Sequence, residues 1–241
     1  MREVKPRLLD LFSGAGGATK GYQRAGFHVT GVDINPQPRY CGDEFHQADA
    51  MTFPLEGFDA IHASPPCPWY STMSNRWGST HPALIGDVRS RLERTGGPWV
   101  IENVAGAKRH MRSPIELTGE MFGLGAHRAR LFESNVFMLT PPKPARQSDA
   151  AAMYGKNDGR RLWTRTDGSE LRVASLEEGS DAMGIDWMEW RELCEAIPPD
   201  YAQFIGEQLI EFCRPTAADA TRPVEGEDVT ASQEQEACDV G

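Results

Sequence analysis

The chain has 241 residues, with 25 basic and 35 acidic side chains, a net charge of −10 and a pI near 5.1. That length suits one domain, or one with a small appendage. No stretch approaches the ~20 apolar residues of a membrane helix, the start Met-Arg-Glu-Val-Lys-Pro-Arg carries no signal-like apolar run, and an acidic pI argues against a nucleic-acid partner.

Residues 7–12 (RLLDLF) read as a buried strand ending in a Gly-rich turn. Residues 18–25 suit a short helix, closed by Gly26. A second strand is expected over 28–34 (HVTGVDI), and a third over 58–63 (FDAIHA), which runs into Ser64-Pro65-Pro66-Cys67. A fourth spans 99–104 (WVIENV). Strands and helices alternating in this way predict an α/β fold with a mixed, mostly parallel sheet and helices on both faces. Residues 131–139 alternate well enough for a further strand or hairpin. Residues 140–172 are rich in Pro, Gly and charge and read as loop, and 175–195 as helix in pieces. Pro198-Pro199-Asp200 opens a last helix with an apolar stripe at Tyr201, Ile205, Leu209 and Phe212.

The organisation expected is a core over 1–139, a small loop-rich segment over 140–172, helices over 173–214 that complete the core, and a disordered acidic tail over 215–241. The tail holds seven acids and one base, net −6, with no Leu, Ile, Phe, Trp or Tyr. Residues 76–172 carry sixteen bases against ten acids, net +6. A locally basic middle can follow a phosphate backbone despite the acidic total; an ordinary mixed surface would look the same. Five widely spaced cysteines without a C-x-x-C pair speak against a disulfide scaffold or a metal site, and for a reducing cytoplasm.

Four stretches carry possible chemistry. In Asp10-Leu-Phe12-Ser13-Gly14-Ala-Gly16-Gly17, glycines between strand and helix let backbone approach a ligand at a helix N-terminus. Asp33, 19 residues past Gly14, stands where an acid accepts hydrogen bonds from a ribose. The dinucleotide fingerprint would need Gly where Thr19 stands, so a tight turn without ligand stays open. Cys67, framed by Pro66 and Pro68, is either a nucleophile in a fixed loop or a small buried hydrophobe. Glu102, at a strand end beside apolar residues, should have a raised pKa suited to sharing a proton, or is simply bonded to backbone. Arg128 and Arg130, alternating at a strand start, project to one face and either clamp an anion or carbonyl oxygen or sit on a solvated edge.

In this order, D-L-F-S-G-A-G-G (10–17), Asp33, Asp49, P-P-C (65–67), E-N-V (102–104), R-x-R (128–130) and A-I-P-P-D-Y-A-Q-F-I-G (196–206) resemble the DNA cytosine-5 methyltransferase family, in its short prokaryotic and phage members. The resemblance implies a Rossmann-like S-adenosylmethionine-dependent methyltransferase fold with the C-terminal helix beside the first strand. It implies that Phe12, Ser13, Gly14, Gly16, Gly17, Asp33, Ile34, Asp49 and Pro66 bind S-adenosylmethionine, with Asp33 on the ribose hydroxyls and Asp49 on the adenine amino group. Cys67 matches the nucleophile, Glu102 the acid at the N3 edge of the base, and Arg130, with Arg128 beside it, the arginine at O2. The loop from Pro68 to about Ile85 resembles the mobile loop that closes over a flipped base. Ser71 and Arg76 within it, and Lys143, Arg146, Lys156, Arg160, Arg161, Trp163 and Arg165 beyond, are the expected nucleic-acid contacts.

The implied activity is methyl transfer to C5 of a flipped cytosine through a covalent Cys67 adduct. The implied partner is double-stranded DNA, with no metal and no membrane, for a monomeric cytoplasmic protein of a prokaryote or phage-infected host. The sequence departs from the pattern at Pro68 (usually Gln), at Ala126 (usually Gln) and at 194–197, where Cys-Glu-Ala-Ile replaces G-N-S-V. A recognition segment of 33 residues implies a small footprint on DNA. The same motifs also suit methyl transfer to tRNA, and the departures around Cys67 suit a non-catalytic nucleic-acid-binding relative. Thr19 and P-P-C disfavour a nucleotide-dependent oxidoreductase.

Overall fold

The computed structural model describes residues 4–66, 84–145, 150–153, 162–164 and 170–213. Seven of its strands form one sheet: β1 (Arg7–Leu11), β2 (His28–Asp33), β3 (Glu44–Gln47), β4 (Ala60–Ala63), β5 (Trp99–Val104), β6 (Ile115–Leu117) and β7 (Arg130–Ser134), in the order β3-β2-β1-β4-β5-β7-β6. β3 to β5 in that order are parallel, while β7 is antiparallel to both β5 and β6. The chain leaves β1 toward β2 and β3, then returns on the other side to β4 and β5. The crevice between β1 and β4 is therefore the switch point at which doubly wound sheets bind ligands.

The central strands are apolar on both faces because helices cover both. Leu8, Val29, Ala60, Val100 and Phe132 face one core with Tyr22, Tyr201, Ile205 and Leu209, contributed by helices α1 (Gly17–Arg24) and α5 (Pro199–Leu209). Leu9, Leu11, Val32, Ile61, Ala63, Ile101 and Leu131 face the other, with Ile85, Val88 and Leu92 of α2 (Ile85–Glu93). A third cluster joins Ala15 and Ala126 to Met183 of α3 (Leu176–Met183), Ile185, Met188, and Leu193 of α4 (Trp190–Glu195).

α1 and α5 run side by side in the same direction at backbone contact. A Cβ on Gly21 would overlap the Pro199 carbonyl and lie 2.7 Å from the Ala202 Cβ, and one on Gly206 would lie 2.7 Å from the Ala25 Cβ. Of the expected apolar stripe on α5, Tyr201, Ile205 and Leu209 are fully buried, whereas Phe212 falls in a terminal 3-10 turn and is 53% exposed.

Some elements differ from the sequence reading. The strand expected over 131–139 is β7 alone, and after Ser134 the chain leaves the sheet. The stretch read as loop contains a two-stranded antiparallel pair, β8 (Leu162–Thr164) and β9 (Glu170–Arg172). β6 and α2 had no counterpart in the reading. The acidic tail lies outside the described residues.

Candidate active site

At the carboxyl end of β1 the chain turns through left-handed backbone at Phe12, Gly14 and Gly16 (φ 61, 52 and 89°). The Ser13 N–H donates to the Val32 carbonyl at 3.1 Å, and the Gly14 N–H to Asp33 Oδ2 at 3.1 Å. Asn35 N–H donates to Asp33 Oδ1 at 2.9 Å. Asp33 thus ties the glycine loop to the end of β2 while each carboxylate oxygen keeps a lone pair. Behind the loop, Trp187 Nε1–H donates to the Ala15 carbonyl at 3.0 Å, and the Lys20 ammonium lies 5.7 Å from the Trp187 ring centroid.

Nothing lies within 4 Å of the position a Cβ would take on Gly14. Next to Asp33, Ile34 is 66% exposed. Open backbone, a carboxylate with spare acceptors and an uncovered apolar side chain together fit a nucleoside: hydroxyls for Asp33 and a flat ring for Ile34. Asp49 is exposed beyond β3, its Oδ1 accepting the Met51 N–H at 2.8 Å. Gly16 and Gly17 open α1, the Gly16 N–H donating to the Ser13 carbonyl at 3.1 Å. Thr19, in place of the third glycine, is explained by its neighbour: its hydroxyl donates to Asp10 Oδ2 at 2.6 Å.

A row of polar groups crosses the α1/α5 face of the sheet. In the register, Asp10 of β1 pairs with His62 of β4. His62 Nδ1 is 2.8 Å from the Tyr22 hydroxyl, and Nε2 is 2.8 Å from the Ser64 hydroxyl. Ser64, one position past the Ala63–Ile101 pair, stands beside Glu102, and its hydroxyl pulls the Glu102 pKa down; Glu102 Oε1 is 3.0 Å from Arg130 Nε. Glu102 is buried, and burial pushes its pKa above the usual carboxylate range against the opposing pull of Arg130, Ser64 and Arg128. Asn103 Nδ2–H donates to the Pro65 carbonyl at 2.9 Å. The strand that carries Glu102 thereby also holds the buried Pro65 and the half-buried Pro66 after it.

Arg128 is a correction. It was expected to share a strand face with Arg130, but β7 begins only at Arg130, and Arg128 sits before it in left-handed backbone (φ 36°). Its guanidinium donates to the carbonyls of Cys194 and Ala196 at 2.5 and 2.8 Å, fastening the end of α4. Tyr201 fixes it further, donating to the Arg128 carbonyl at 3.1 Å. Lys143 is exposed and paired with Glu116 of β6 at 2.6 Å. Cys67, Ser71, Arg76, Arg146, Lys156, Arg160, Arg161 and Arg165 lie outside the described residues, as does the side chain of Trp163. Burial pushes the Cys41, Cys194 and Cys213 thiols up to about 11.

The sequence reading missed Tyr22, His62, Ser64 and Asn103. A signal for two of them was present: His62 and Ser64 stand at strand spacing, so both project to one face of an otherwise apolar run.

No family model matches the sequence, and no curated protein matches it. Solved structures do match. A protein assigned as a DNA modification methyltransferase, encoded within a prophage of E. coli, is 16% identical with a TM-score of 0.55, the match covering 86% of this chain and 99% of that one. The Dnmt2 methyltransferase of S. pombe is 13% identical with a TM-score of 0.56 over 86% of this chain and 99% of that one. The methyltransferase EhMeth of Entamoeba histolytica is 16% identical with a TM-score of 0.50 over 88% and 98%. The chain shares with these methyltransferases a Rossmann-like α/β fold.

Proposed function

We propose that this chain is a DNA cytosine-5 methyltransferase that uses S-adenosylmethionine. One observation carries the reading. Asn103 on Pro65 ties the segment leading into Cys67 to the strand that carries the buried Glu102–Arg130 pair, beside the nucleoside-shaped edge at Gly14 and Asp33. The motif order and the methyltransferase fold support it.

Phe12, Gly14, Asp33, Ile34 and Asp49 would hold the cofactor, and bound there it supplies an electrophilic methyl group on a sulfonium. The protein must make cytosine C5 nucleophilic. The Cys67 thiolate forms a bond to C6 while Glu102 shares its proton with N3, so the electron pair of the C5–C6 double bond is driven onto C5. Arg130 keeps the Glu102 carboxyl in place and offers its remaining N–H groups to O2. After C5 gains the methyl group, loss of its proton to a base lets the C6–sulfur bond break and restores the thiolate. The target must leave the base stack for this, since neither C6 nor N3 can be reached within a duplex. The basic residues of 140–172 would contact the DNA, over a footprint limited by the segment's length.

The test is methyl transfer from labelled S-adenosylmethionine to duplex DNA and, in parallel, to tRNA. Wild-type protein should label DNA, and Cys67→Ser should lose at least about a thousandfold in rate. Undiminished transfer by Cys67→Ser would refute the mechanism. Labelling confined to tRNA would move the same chemistry to RNA.

A further inference from the structure

His62 is completely buried, lies in the middle of the sheet and has no part in the chemistry above. Burial lowers its pKa to about 3, so the ring is neutral and carries one N–H. Its partners decide which nitrogen bears it. Tyr22 is also fully buried, and burial keeps its hydroxyl protonated. Among the described residues, the acceptor within reach of that hydroxyl is His62 Nδ1, at 2.8 Å. Were the ring proton on Nδ1, the Tyr22 hydrogen would be buried without an acceptor. The proton therefore sits on Nε2 and is donated to Ser64 Oγ at 2.8 Å. That occupies the Ser64 oxygen and leaves its own hydrogen for Glu102, its neighbour one position past the Ala63–Ile101 pair of the parallel strands. Every donor from α1 to β5 then points the same way: Tyr22 to His62, His62 to Ser64, Ser64 to Glu102.

We propose that His62 is a positioning residue which, through Ser64, controls the proton affinity of Glu102. The consequence for catalysis rests on the methyltransferase reading; the control of Glu102 does not. Other groups also face that carboxyl. Arg130 of β7 and Arg128 before it draw its pKa down, while Asp10 of β1 and Tyr22 of α1 are within electrostatic reach. The His62–Ser64 chain acts with the arginines. It stabilises the carboxylate left behind once the proton has been shared with N3, and so offsets part of the burial that would otherwise hold the proton on Glu102.

The experiment is a pH titration of the full chain with glutamate labelled by 13C at the carboxyl carbon. The Glu102 signal is assigned by its loss in Glu102→Gln. Ser64→Ala should raise the Glu102 midpoint by about one pH unit, the usual size of a hydrogen bond to a carboxylate. The double variant Tyr22→Phe/His62→Phe, which removes the Tyr22–His62 pair together, should raise it by a comparable amount. Ser64→Thr should restore the wild-type value. The alkaline limb of kcat/KM for methyl transfer should move upward with the midpoint, because the acid form is the one that shares its proton. An unchanged midpoint in a Ser64→Ala protein that melts as wild type would overturn the proposal. A shift in Ser64→Ala that is absent from the double variant would overturn the part given to His62. Shifted midpoints in a chain that methylates neither DNA nor RNA would uphold the control of Glu102 and reject the methyltransferase reading.

Discussion

Asp10 shows how a single side chain can couple the site to stability. It is 1% exposed, with Oδ2 bonded by Thr19 and Oδ1 unpartnered among the described residues. Burial pushes its pKa up to about 7, with Asp33 and Glu102 adding to the rise. The folded protein therefore retains a proton that the unfolded chain loses near pH 4. Asp10 contributes its stability below pH 4, and that contribution is lost as pH rises through 7, at about 1.4 kcal/mol per pH unit. His62 works in the opposite direction. It stays neutral in the fold to about pH 3, while the unfolded imidazole takes up a proton near 6.5, so its contribution is lost as pH falls below that value. The two slopes partly cancel between pH 4 and 6.5. Asp10→Asn removes one of them. In urea unfolding, the stability of the variant relative to wild type should climb by about 2–4 kcal/mol from pH 4 to pH 7.5, then level off. An offset independent of pH would show that Asp10 titrates normally.

At the scale of the element, α2 shows why part of the fold was hidden in the sequence. Its buried face consists of Ile85, Val88, Arg89 and Leu92. A charge on the apolar face breaks the pattern from which a helix is read. Structurally the charge is matched. Arg89 makes two hydrogen bonds to Glu133 of β7, at 2.5 and 2.7 Å, and one to the His110 carbonyl at 2.8 Å, while Arg112 N–H also donates to Glu133. A buried pair of this kind adds little net stability, yet losing one partner strands the other. Glu133→Ala should cost about 3–5 kcal/mol, and Glu133→Ala/Arg89→Met should recover most of it. A double variant that loses as much as Glu133→Ala and Arg89→Met added together would show that the pair is not coupled. β1, β2, β4 and β5 were legible because each is an apolar run bounded by turn residues, and α5 because its stripe repeats at helical spacing, whereas the parallel β3 (Glu-Phe-His-Gln) is polar and largely exposed. Phe12, Gly14, Asp33, Glu102 and Arg130 could be picked out because their chemistry stands at strand ends. Arg128 could not be separated from Arg130, since one left-handed residue before β7 redirects a side chain that alternation alone would place beside its neighbour.

For the whole molecule, the charge of −10 is best understood by its distribution. Residues 215–241 carry −6, which leaves −4 on residues 1–214, and within those the stretch 76–172 carries +6. That stretch includes α2, β5 and β7, the elements that bring Arg130 to Glu102, together with the basic residues proposed to meet the phosphates. A polyanion approaching it is attracted locally and repelled by the tail, and each force extends over about one Debye length. Removing 215–241 takes away seven acids and one base and leaves every strand and core residue named above in the chain. The truncated chain should bind duplex DNA several-fold more tightly than the full chain in 50 mM salt, measured by fluorescence anisotropy with Cys67→Ser so that no transfer occurs. In 300 mM salt, where the Debye length falls to about 6 Å, the two affinities should converge. Equal affinities at both salt concentrations would mean that the tail lies beyond electrostatic reach of the DNA; tighter binding by the full chain would mean that it contributes contacts of its own.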